Sequence, residues 1–185
     1  DGLTDLAPCA MVIEAIAEKL DVKQSLFIAL EHIIASDAIL ATNTSSLPIH
    51  AIAHGLIEPE RVLALHFFNP PPAMKLVELA PHAGTSAKAI ARAEAWTKAA
   101  GKTVIRCLDR PGFIVNRCAR PYYGEALALV TEGRSPGEID AAMTAAGYRL
   151  GPFALIDLIG ADINLAATKG MHHRDSQTFV GARFF

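Results

Sequence analysis

Two residues that can exchange a proton stand on neighbouring predicted strands. His66 lies near the end of the apolar run 61–67, and Glu78 lies within the next run, 75–80. A Pro-rich loop joins the two runs, so the imidazole and the carboxylate can meet. A carboxylate beside one ring nitrogen fixes the tautomer and stabilises the protonated ring, which suits a general base near neutral pH. A core histidine beside an unrelated surface glutamate explains the same residues equally well.

Two further polar segments contain candidate ligand-binding residues. Ser45 lies in the cluster 42–46, which follows a predicted strand, and ligand clefts of open α/β sheets lie at the carboxyl ends of strands. Asn116 lies in the first turn of a long predicted helix, where its amide can hydrogen-bond a carbonyl or a hydroxyl. Taken alone, each segment is better explained by local structure: capping of a short helix that begins near Pro48, and an ordinary helix start after Pro111.

The elements that must position these residues alternate between strands and helices. Short apolar runs predict strands, and apolar residues at helical spacing predict helices. The predicted strands are 10–16, 38–41, 61–67, 75–80 and 102–107, and the predicted helices between them are 18–35, 50–54 and 86–100. This alternation predicts an α/β sheet with parallel portions.

From Pro111 onward the patterns are helical. Helices are predicted over 112–132, 136–146 and 152–169, with glycines at the breaks. We therefore place a boundary near residues 108–111, between an α/β domain over 1–108 and an all-helical domain over 109–185. No GxGxxG turn follows a predicted strand, so the chain shows no dinucleotide-binding fingerprint of its own.

Composition restricts the classes of function. The 185 residues are 51% hydrophobic with a net charge of −2, which allows a real core and argues against a general nucleic-acid-binding protein. No apolar run reaches the ~18 residues of a membrane span, and the start, Asp1-Gly2, does not resemble a signal peptide. Three separated cysteines predict buried, unreactive thiols in a reducing, cytoplasmic environment. His172 and His173 would diverge on a helix, so we predict no metal site.

Taken together, the polar segments resemble one enzyme family. The segments Asn-Thr-Ser-Ser (43–46), His-Phe-Phe-Asn-Pro (66–70), Met-Lys-Leu-Val-Glu (74–78) and Pro-Gly-Phe-Ile-Val-Asn-Arg (111–117) occur in this order in L-3-hydroxyacyl-CoA dehydrogenases. Further matches are Val-Ile-Glu-Ala from Val12 and Gly-Pro-Phe from Gly151. The resemblance covers residues 5–168. Each motif alone is moderately specific, whereas the ordered set is highly specific.

The resemblance implies a fold in two parts. These are the C-terminal half of a Rossmann-type NAD-binding domain and a helical domain that usually mediates dimerisation. The first βαβ unit of the family, with its glycine-rich turn, and the last helices are then missing from this chain. We therefore expect a longer parent protein that forms a homodimer.

The resemblance also implies the chemistry. The family uses NAD to oxidise an L-3-hydroxyacyl-CoA to a 3-ketoacyl-CoA, in fatty-acid or related acyl-CoA degradation. By this resemblance His66 takes the hydroxyl proton, Glu78 orients His66, and Ser45 and Asn116 bind substrate oxygens. The positions that line the cofactor in the family correspond to Glu18, Lys23, Asn43 and Asn69.

Several side chains carry secondary predictions. Lys23, Lys75, Arg117 and Arg120 are predicted to attract NAD or CoA phosphates, with a solvated surface position as the favoured alternative for Arg120. Trp96 lies in a periodic apolar segment and is predicted to belong to the core.

Two other interpretations remain open at this stage. A truncated relative can serve as a non-catalytic dimerisation or binding module, which the missing glycine-rich turn favours and the complete polar set opposes. An enzyme of the β-hydroxyacid class also joins a Rossmann domain to helices, but such enzymes typically rely on a catalytic lysine. Short-chain, fatty-acid and aromatic-acid substrates are all compatible with the motifs.

Overall fold

The chain folds into two compact units. The computed structural model describes residues 2–161 together with 164, 165 and 168. Unit 1 ends at Phe113, and unit 2 begins at Ile114. Unit 1 combines a sheet with helices, and the described part of unit 2 contains helices alone. The predicted fold class, an α/β domain followed by an all-helical domain, is confirmed.

Unit 1 is built on a five-stranded sheet in the order β1-β2-β3-β4-β5. The strands are β1 (Met11–Glu14), β2 (Ile39–Thr42), β3 (Val62–Phe67), β4 (Leu76–Pro81) and β5 (Thr103–Arg106). β1, β2 and β3 run parallel, β4 runs antiparallel to β3, and β5 runs parallel to β4. The antiparallel step arises because the loop 68–75 is too short for the crossover that a parallel pair needs.

Helices cover both faces of this sheet. They are α1 (Leu20–Glu31), α2 (Ile49–Ile52) and α3 (Ala87–Ala99). On one face, Phe27 of α1 packs with Leu40 and Val62 in a fully buried cluster. On the other face, Ala93 of α3 packs with Leu63 of β3. Because both faces are covered, β2 is buried along its whole length, as its unbroken apolar run predicts.

The prediction that Trp96 belongs to the core is wrong. Trp96 is 46% exposed. The buried face of α3 is formed by Ala89, Ala93 and Thr97, which repeat at a spacing of four residues. Trp96 lies beside this face rather than on it, and small residues on the buried face let α3 approach the sheet closely.

Unit 2 contains α4 (Val115–Thr131), α5 (Pro136–Ala145) and α6 (Pro152–Ile159). The carboxylate of Asp140, on α5, accepts hydrogen bonds from the N–H groups of Phe153 and Ala154 and so caps α6. A Cβ on Gly151 would lie 2.3 Å from Cγ of Asp140, so this close approach requires glycine. The Gly-Pro-Phe motif therefore forms a helix start that is locked to α5.

The last predicted helix is only partly covered by the structure. α6 ends at Ile159 and is followed by Gly160, whose φ of 100° lies in the left-handed region that favours glycine. Residues 161, 164, 165 and 168 are again helical. The remaining positions of the predicted helix 152–169, and the pair His172-His173, lie outside the described residues.

The predicted solvated position of Arg120 is also wrong. Arg120 lies in the middle of α4 and is 8% exposed. Its Nη1 donates hydrogen bonds to Asn164 and Thr168, further along unit 2. Sequence spacing alone does not show this contact, because it joins residues more than forty positions apart.

Candidate active site

Strands β3 and β4 place His66 and Glu78 directly opposite each other. The two residues are partners in the antiparallel register. Nδ1 of His66 lies 2.7 Å from Oε2 of Glu78, and both residues are buried, with Glu78 wholly inaccessible and His66 7% exposed. Opposed residues of an antiparallel pair present their side chains on the same face of the sheet. The register of the two strands is therefore what brings the imidazole to the carboxylate.

This contact fixes which ring nitrogen carries the proton in the neutral imidazole. A carboxylate accepts hydrogen bonds and does not donate them, so Nδ1 of His66 is the donor. Nε2 of His66 then holds the free lone pair of the neutral ring. In this tautomer the ring can accept a second proton at Nε2, and Glu78 stabilises the imidazolium that results.

Two aromatic rings enclose the imidazole of His66. Phe68 lies edge-on with its ring centre 4.7 Å away, and Phe113 is tilted at 5.6 Å. Phe113 has a φ of 44°, which is rare for a bulky residue, and Gly112 before it has a φ of 75°. The N–H of Gly112 donates to the carbonyl of Ser45, 3.1 Å away. The unusual backbone thus places an aromatic ring on His66 and ties it to the Ser45 turn.

The turn that contains Ser45 is ordered by one carboxylate. Oε1 of Glu18 accepts hydrogen bonds from the N–H groups of Ser45 and Ser46, each at 3.2 Å, from Oγ of Ser46 at 3.0 Å, and from Oγ1 of Thr44. These four donors fix the backbone just after β2. Ser45 is half-buried there.

A buried ion pair supports Glu18. Nζ of Lys23 lies 2.8 Å from both carboxylate oxygens of Glu14 and 3.4 Å from Oε2 of Glu18. Thr42 also donates to Glu14. The charge of Lys23 is therefore engaged by carboxylates of the chain itself, which does not favour the predicted attraction of a phosphate. Its place among cofactor-lining residues stays a prediction.

Two asparagines complete this end of the sheet. Oδ1 of Asn43 accepts a hydrogen bond from the N–H of Phe67, 2.8 Å away, and so joins the end of β2 to the end of β3. Asn69 follows β3, is exposed, and precedes Pro70 through a cis peptide bond. The predicted residues of unit 1 therefore gather at the carboxyl ends of β1, β2 and β3, where open α/β sheets bind ligands. Those residues are Glu18, Lys23, Asn43, Ser45, His66 and Asn69, with Glu78 paired to His66 on β4.

Asn116 belongs to unit 2. It lies in the first turn of α4 and is half-buried. Its predicted part in substrate binding is not tested by contacts within that unit and stays a prediction.

Sequence reasoning missed the support provided by Glu14 and Asp109. Glu14 is the one charge in the apolar run 10–16, and a charge in a buried strand needs a partner. That signal predicts an ion pair but does not identify Lys23. Asp109 accepts hydrogen bonds from the N–H groups of Ile49 and His50 and so holds the start of α2.

The thiols differ in exposure. Burial, with smaller contributions from the charges of Glu78 and Asp109, raises the pKa of Cys107 to about 12, so this thiol is unreactive as predicted. Cys118 is exposed, which corrects the prediction of burial.

Within the described ranges, no cluster of three His, Cys, Asp or Glu side chains is arranged for a metal ion, and no helix combines the length and apolar character needed to cross a bilayer.

Comparison with protein families assigns both units. Residues 1–110 match the family model described as the 3-hydroxyacyl-CoA dehydrogenase NAD binding domain. Residues 112–183 match the model described as the 3-hydroxyacyl-CoA dehydrogenase C-terminal domain. The two matches together cover nearly the whole chain.

Individual relatives agree with this assignment. A 3-hydroxyadipyl-CoA dehydrogenase of Escherichia coli (strain K12) is 48% identical over 165 residues, which are 88% of this chain and 35% of that protein. The crystal structure of a 3-hydroxybutyryl-CoA dehydrogenase from Escherichia coli K12 has a TM-score of 0.88 and 46% identity, over 93% of this chain and 37% of that one. The (S)-3-hydroxybutyryl-CoA dehydrogenase of Ralstonia eutropha has a TM-score of 0.90 and 37% identity, over 95% and 63%. The chain thus spans about a third of the curated relative.

The Glu18 turn generates a pH-dependent stability prediction. Burial opposes ionisation of Glu18, but the hydrogen bond from Thr44, the charge of Lys23 and the bonds from Ser46 and Ser45 outweigh it, so the pKa of Glu18 falls below 4.5. A lowered pKa means that the ionised group stabilises the fold above pH 4.5, and that this contribution is lost as the pH falls through the lowered pKa. Glu18→Gln should therefore destabilise the chain at pH 7, by an amount that shrinks as the solution is acidified.

Urea unfolding of the wild type and the variant at a series of pH values measures this difference. Glu132→Gln, which removes an exposed carboxylate at the end of α4, is the matched control and should show a small, constant difference. A Glu18→Gln difference that does not change with pH would show that the carboxylate charge does not hold the turn.

Proposed function

The chain belongs to the 3-hydroxyacyl-CoA dehydrogenase family, and we propose that it forms the catalytic part of an enzyme that uses NAD to oxidise an L-3-hydroxyacyl-CoA to the 3-ketoacyl-CoA. The observation that carries the proposal is the 2.7 Å contact between His66 and Glu78 at a buried position beside the strand ends. Because the chain spans only part of its relatives, the activity is proposed for the whole protein that contains it.

His66 is the proposed general base. Its Nε2 takes the proton of the 3-hydroxyl as the carbonyl forms at C3, and the negative charge of Glu78 stabilises the imidazolium. NAD, held by Glu18, Lys23, Asn43 and Asn69, would supply the acceptor for the hydride from C3, so the substrate would lose a hydride to the cofactor and a proton to His66. General-base catalysis of this kind contributes about 10²- to 10⁴-fold to the rate.

Ser45 and Asn116 are the proposed substrate ligands. The backbone of Ser45 is fixed by Glu18 and by Gly112, so its hydroxyl stands on a preorganised turn. A substrate oxygen bound by such a turn is held in a defined position, which lowers the entropic part of the barrier. Asn116 offers its amide in the first turn of α4.

The strand ends carry side chains that fit part of NAD. Glu18 offers carboxylate acceptors, and Asn43 and Asn69 offer amides. These groups suit the ribose hydroxyls and the nicotinamide carboxamide. They suit the pyrophosphate less, since Lys23 is already paired with Glu14. We therefore assign Glu18, Lys23, Asn43 and Asn69 to the nicotinamide half of the cofactor site, with Lys23 acting through Glu18.

The proposed substrates are acyl-CoA thioesters. One relative is named for the 3-hydroxyadipyl group, which ends in a carboxylate, and two structural relatives are named for the 3-hydroxybutyryl group, which ends in a methyl. We propose a role in fatty-acid or related acyl-CoA degradation in the cytoplasm. The alternative of a non-catalytic module is not favoured, because the His66–Glu78 pair is complete.

We also propose that the whole protein forms a homodimer through unit 2. Helices α4, α5 and α6 border an open, mostly apolar groove of about 1180 Å³, lined by residues such as Leu129, Met143 and Leu155. Leu127 and Leu158 are more than half exposed in the described chain, and large apolar surfaces of this kind mark association sites. Light scattering of the whole protein should give twice the monomer mass, whereas a monomer at micromolar concentration would contradict the proposal.

Replacement of His66 tests the catalytic proposal. In the whole protein, His66→Gln should lower kcat for 3-hydroxybutyryl-CoA by about 10²-fold or more, because Gln cannot accept the proton. NADH absorbance measures turnover, and thermal unfolding measures the fold. His54→Gln, which changes an exposed histidine of unit 1, is the matched control and should retain activity.

The same measurements of turnover and thermal unfolding on Glu78→Gln test the role of the carboxylate. Gln keeps the shape of the carboxylate but removes the charge that stabilises the imidazolium. We expect kcat to fall by a smaller factor than in His66→Gln. Near-normal turnover of His66→Gln would remove His66 from the mechanism, and wild-type turnover of Glu78→Gln would leave Glu78 with a structural role alone.

A further inference from the structure

Lys102 joins the end of α3 to the start of β5. Gly101 before it has a φ of 75°, which favours glycine and ends the helix. The N–H of Gly101 donates to the carbonyl of Lys98 at 2.9 Å, and the N–H of Lys102 donates to the carbonyl of the buried Thr97 at 3.2 Å. The next residue, Thr103, begins β5. The backbone of Lys102 is therefore fixed on both sides, and its side chain extends from a rigid base.

The ammonium group of Lys102 binds the Pro-rich loop (68–75) that joins β3 to β4. Its Nζ donates hydrogen bonds to the carbonyl oxygens of Pro71, at 2.5 Å, and of Met74, at 3.0 Å. Hydrogen bonds from a charged donor are shorter and stronger than those between neutral groups. The positive charge of Lys102 is thus directed at the main chain of the loop, from a strand on the far side of β4.

The loop depends on these bonds because it has few other sources of order. The prolines at 70–72 have no N–H group, so that part of the loop cannot donate main-chain hydrogen bonds. The carbonyl of Pro70 accepts from the N–H groups of Ala73 and Met74, at 3.0 and 3.1 Å, which forms one turn. All side chains from 69 to 75 are exposed, so packing contributes little to the position of the turn. Lys102 bonds to this turn near its beginning and at its end.

The same loop contains a residue of the proposed cofactor site. Asn69 lies two residues before Pro71 and is exposed, so the loop backbone rather than packing sets the place of its amide. Phe68, just before it, contacts the ring of His66. A binding group that is already in place adds affinity, because its ordering does not have to occur on binding. The order that Lys102 gives to the loop is therefore transmitted to Asn69.

We propose that Lys102 is a positioning residue for cofactor binding: its ammonium holds the Pro-rich loop so that Asn69 meets the nicotinamide half of NAD in a preformed arrangement. The inference rests on the proposed function, because that function assigns Asn69 to the cofactor. Lys102 acts through the carbonyls of Pro71 and Met74 and does not itself contact the cofactor.

Equilibrium titration of the whole protein with NADH tests this without requiring turnover. Lys102→Met keeps the aliphatic stem and removes the charge and the donors. NADH should bind about 5-fold more weakly, because a loosened loop occupies the binding arrangement for only part of the time. The affinity for butyryl-CoA should stay within about 2-fold. Lys102→Arg, which keeps the charge and the donors, should restore the affinity for NADH, and Lys88→Met, which changes an exposed lysine of α3, should leave it unchanged.

A double-mutant cycle separates positioning from a direct attraction between Lys102 and the phosphates of NADH. If Lys102 acts through Asn69, adding Lys102→Met to Asn69→Ala should weaken NADH binding by less than about 2-fold further. A direct attraction would instead give the full loss in both backgrounds, and that loss would shrink at high salt. In turnover measurements, the effect of Lys102→Met should appear in KM for NAD, with kcat within about 2-fold of the wild type.

Hydrogen exchange at the N–H groups of Ala73 and Met74 measures the order of the loop itself and should become faster in Lys102→Met. Faster exchange with unchanged affinity for NADH would give Lys102 a structural role alone and overturn the inference. The same holds for an equal loss of affinity in the Asn69→Ala background. A wild type that binds NADH but oxidises no 3-hydroxyacyl-CoA would contradict the proposed function, and the role of Lys102 in binding the cofactor would still stand.

Discussion

The hydrogen bond between His66 and Glu78 is the interaction on which the candidate site of unit 1 depends. Glu78 has no exposed surface, and a buried carboxylate is strongly unfavourable unless it is paired. The antiparallel register of β3 and β4 supplies that pairing. Because neighbouring side chains of a strand point to opposite faces, a slip of one residue would separate the two groups completely. The sheet that forms the core therefore also fixes the chemistry.

A second layer of interactions stiffens what surrounds this pair. The Glu14–Lys23 ion pair supports Glu18, and Glu18 orders the Ser45 turn. The strained backbone at Phe113 places a ring against His66. Strain of this kind persists only where surrounding contacts hold it, and it is common at functional sites. The Ser45 turn is thus held by a charged network, and the backbone beside Phe113 is held by the hydrogen bond from Gly112 to Ser45.

The sequence allowed the strands of unit 1 and the His66–Glu78 contact to be predicted, because apolar runs, a short Pro-rich loop and two polar residues on adjacent strands are local signals. Arg120 was predicted poorly, since its partners Asn164 and Thr168 are distant in sequence. The prediction for Trp96 was wrong because the buried face of α3 is formed by small residues, and Trp96 lies beside that face at the surface. The ion pair of Glu14 was missed, because a single charge in an apolar run indicates that a partner is needed but does not identify Lys23. Tertiary contacts, rather than propensity, decide such cases.

The tautomer of His66 tests the central claim most directly. Nitrogen-15 NMR of the histidine rings, with His66 assigned by the loss of its signals in His66→Gln, reports which ring nitrogen carries the proton in the neutral form. If Glu78 accepts from Nδ1, the neutral ring carries its proton on Nδ1, and Glu78→Leu releases it to the mixture of tautomers found in a free imidazole. A wild-type ring protonated on Nε2, or one that averages between the tautomers, would contradict the account.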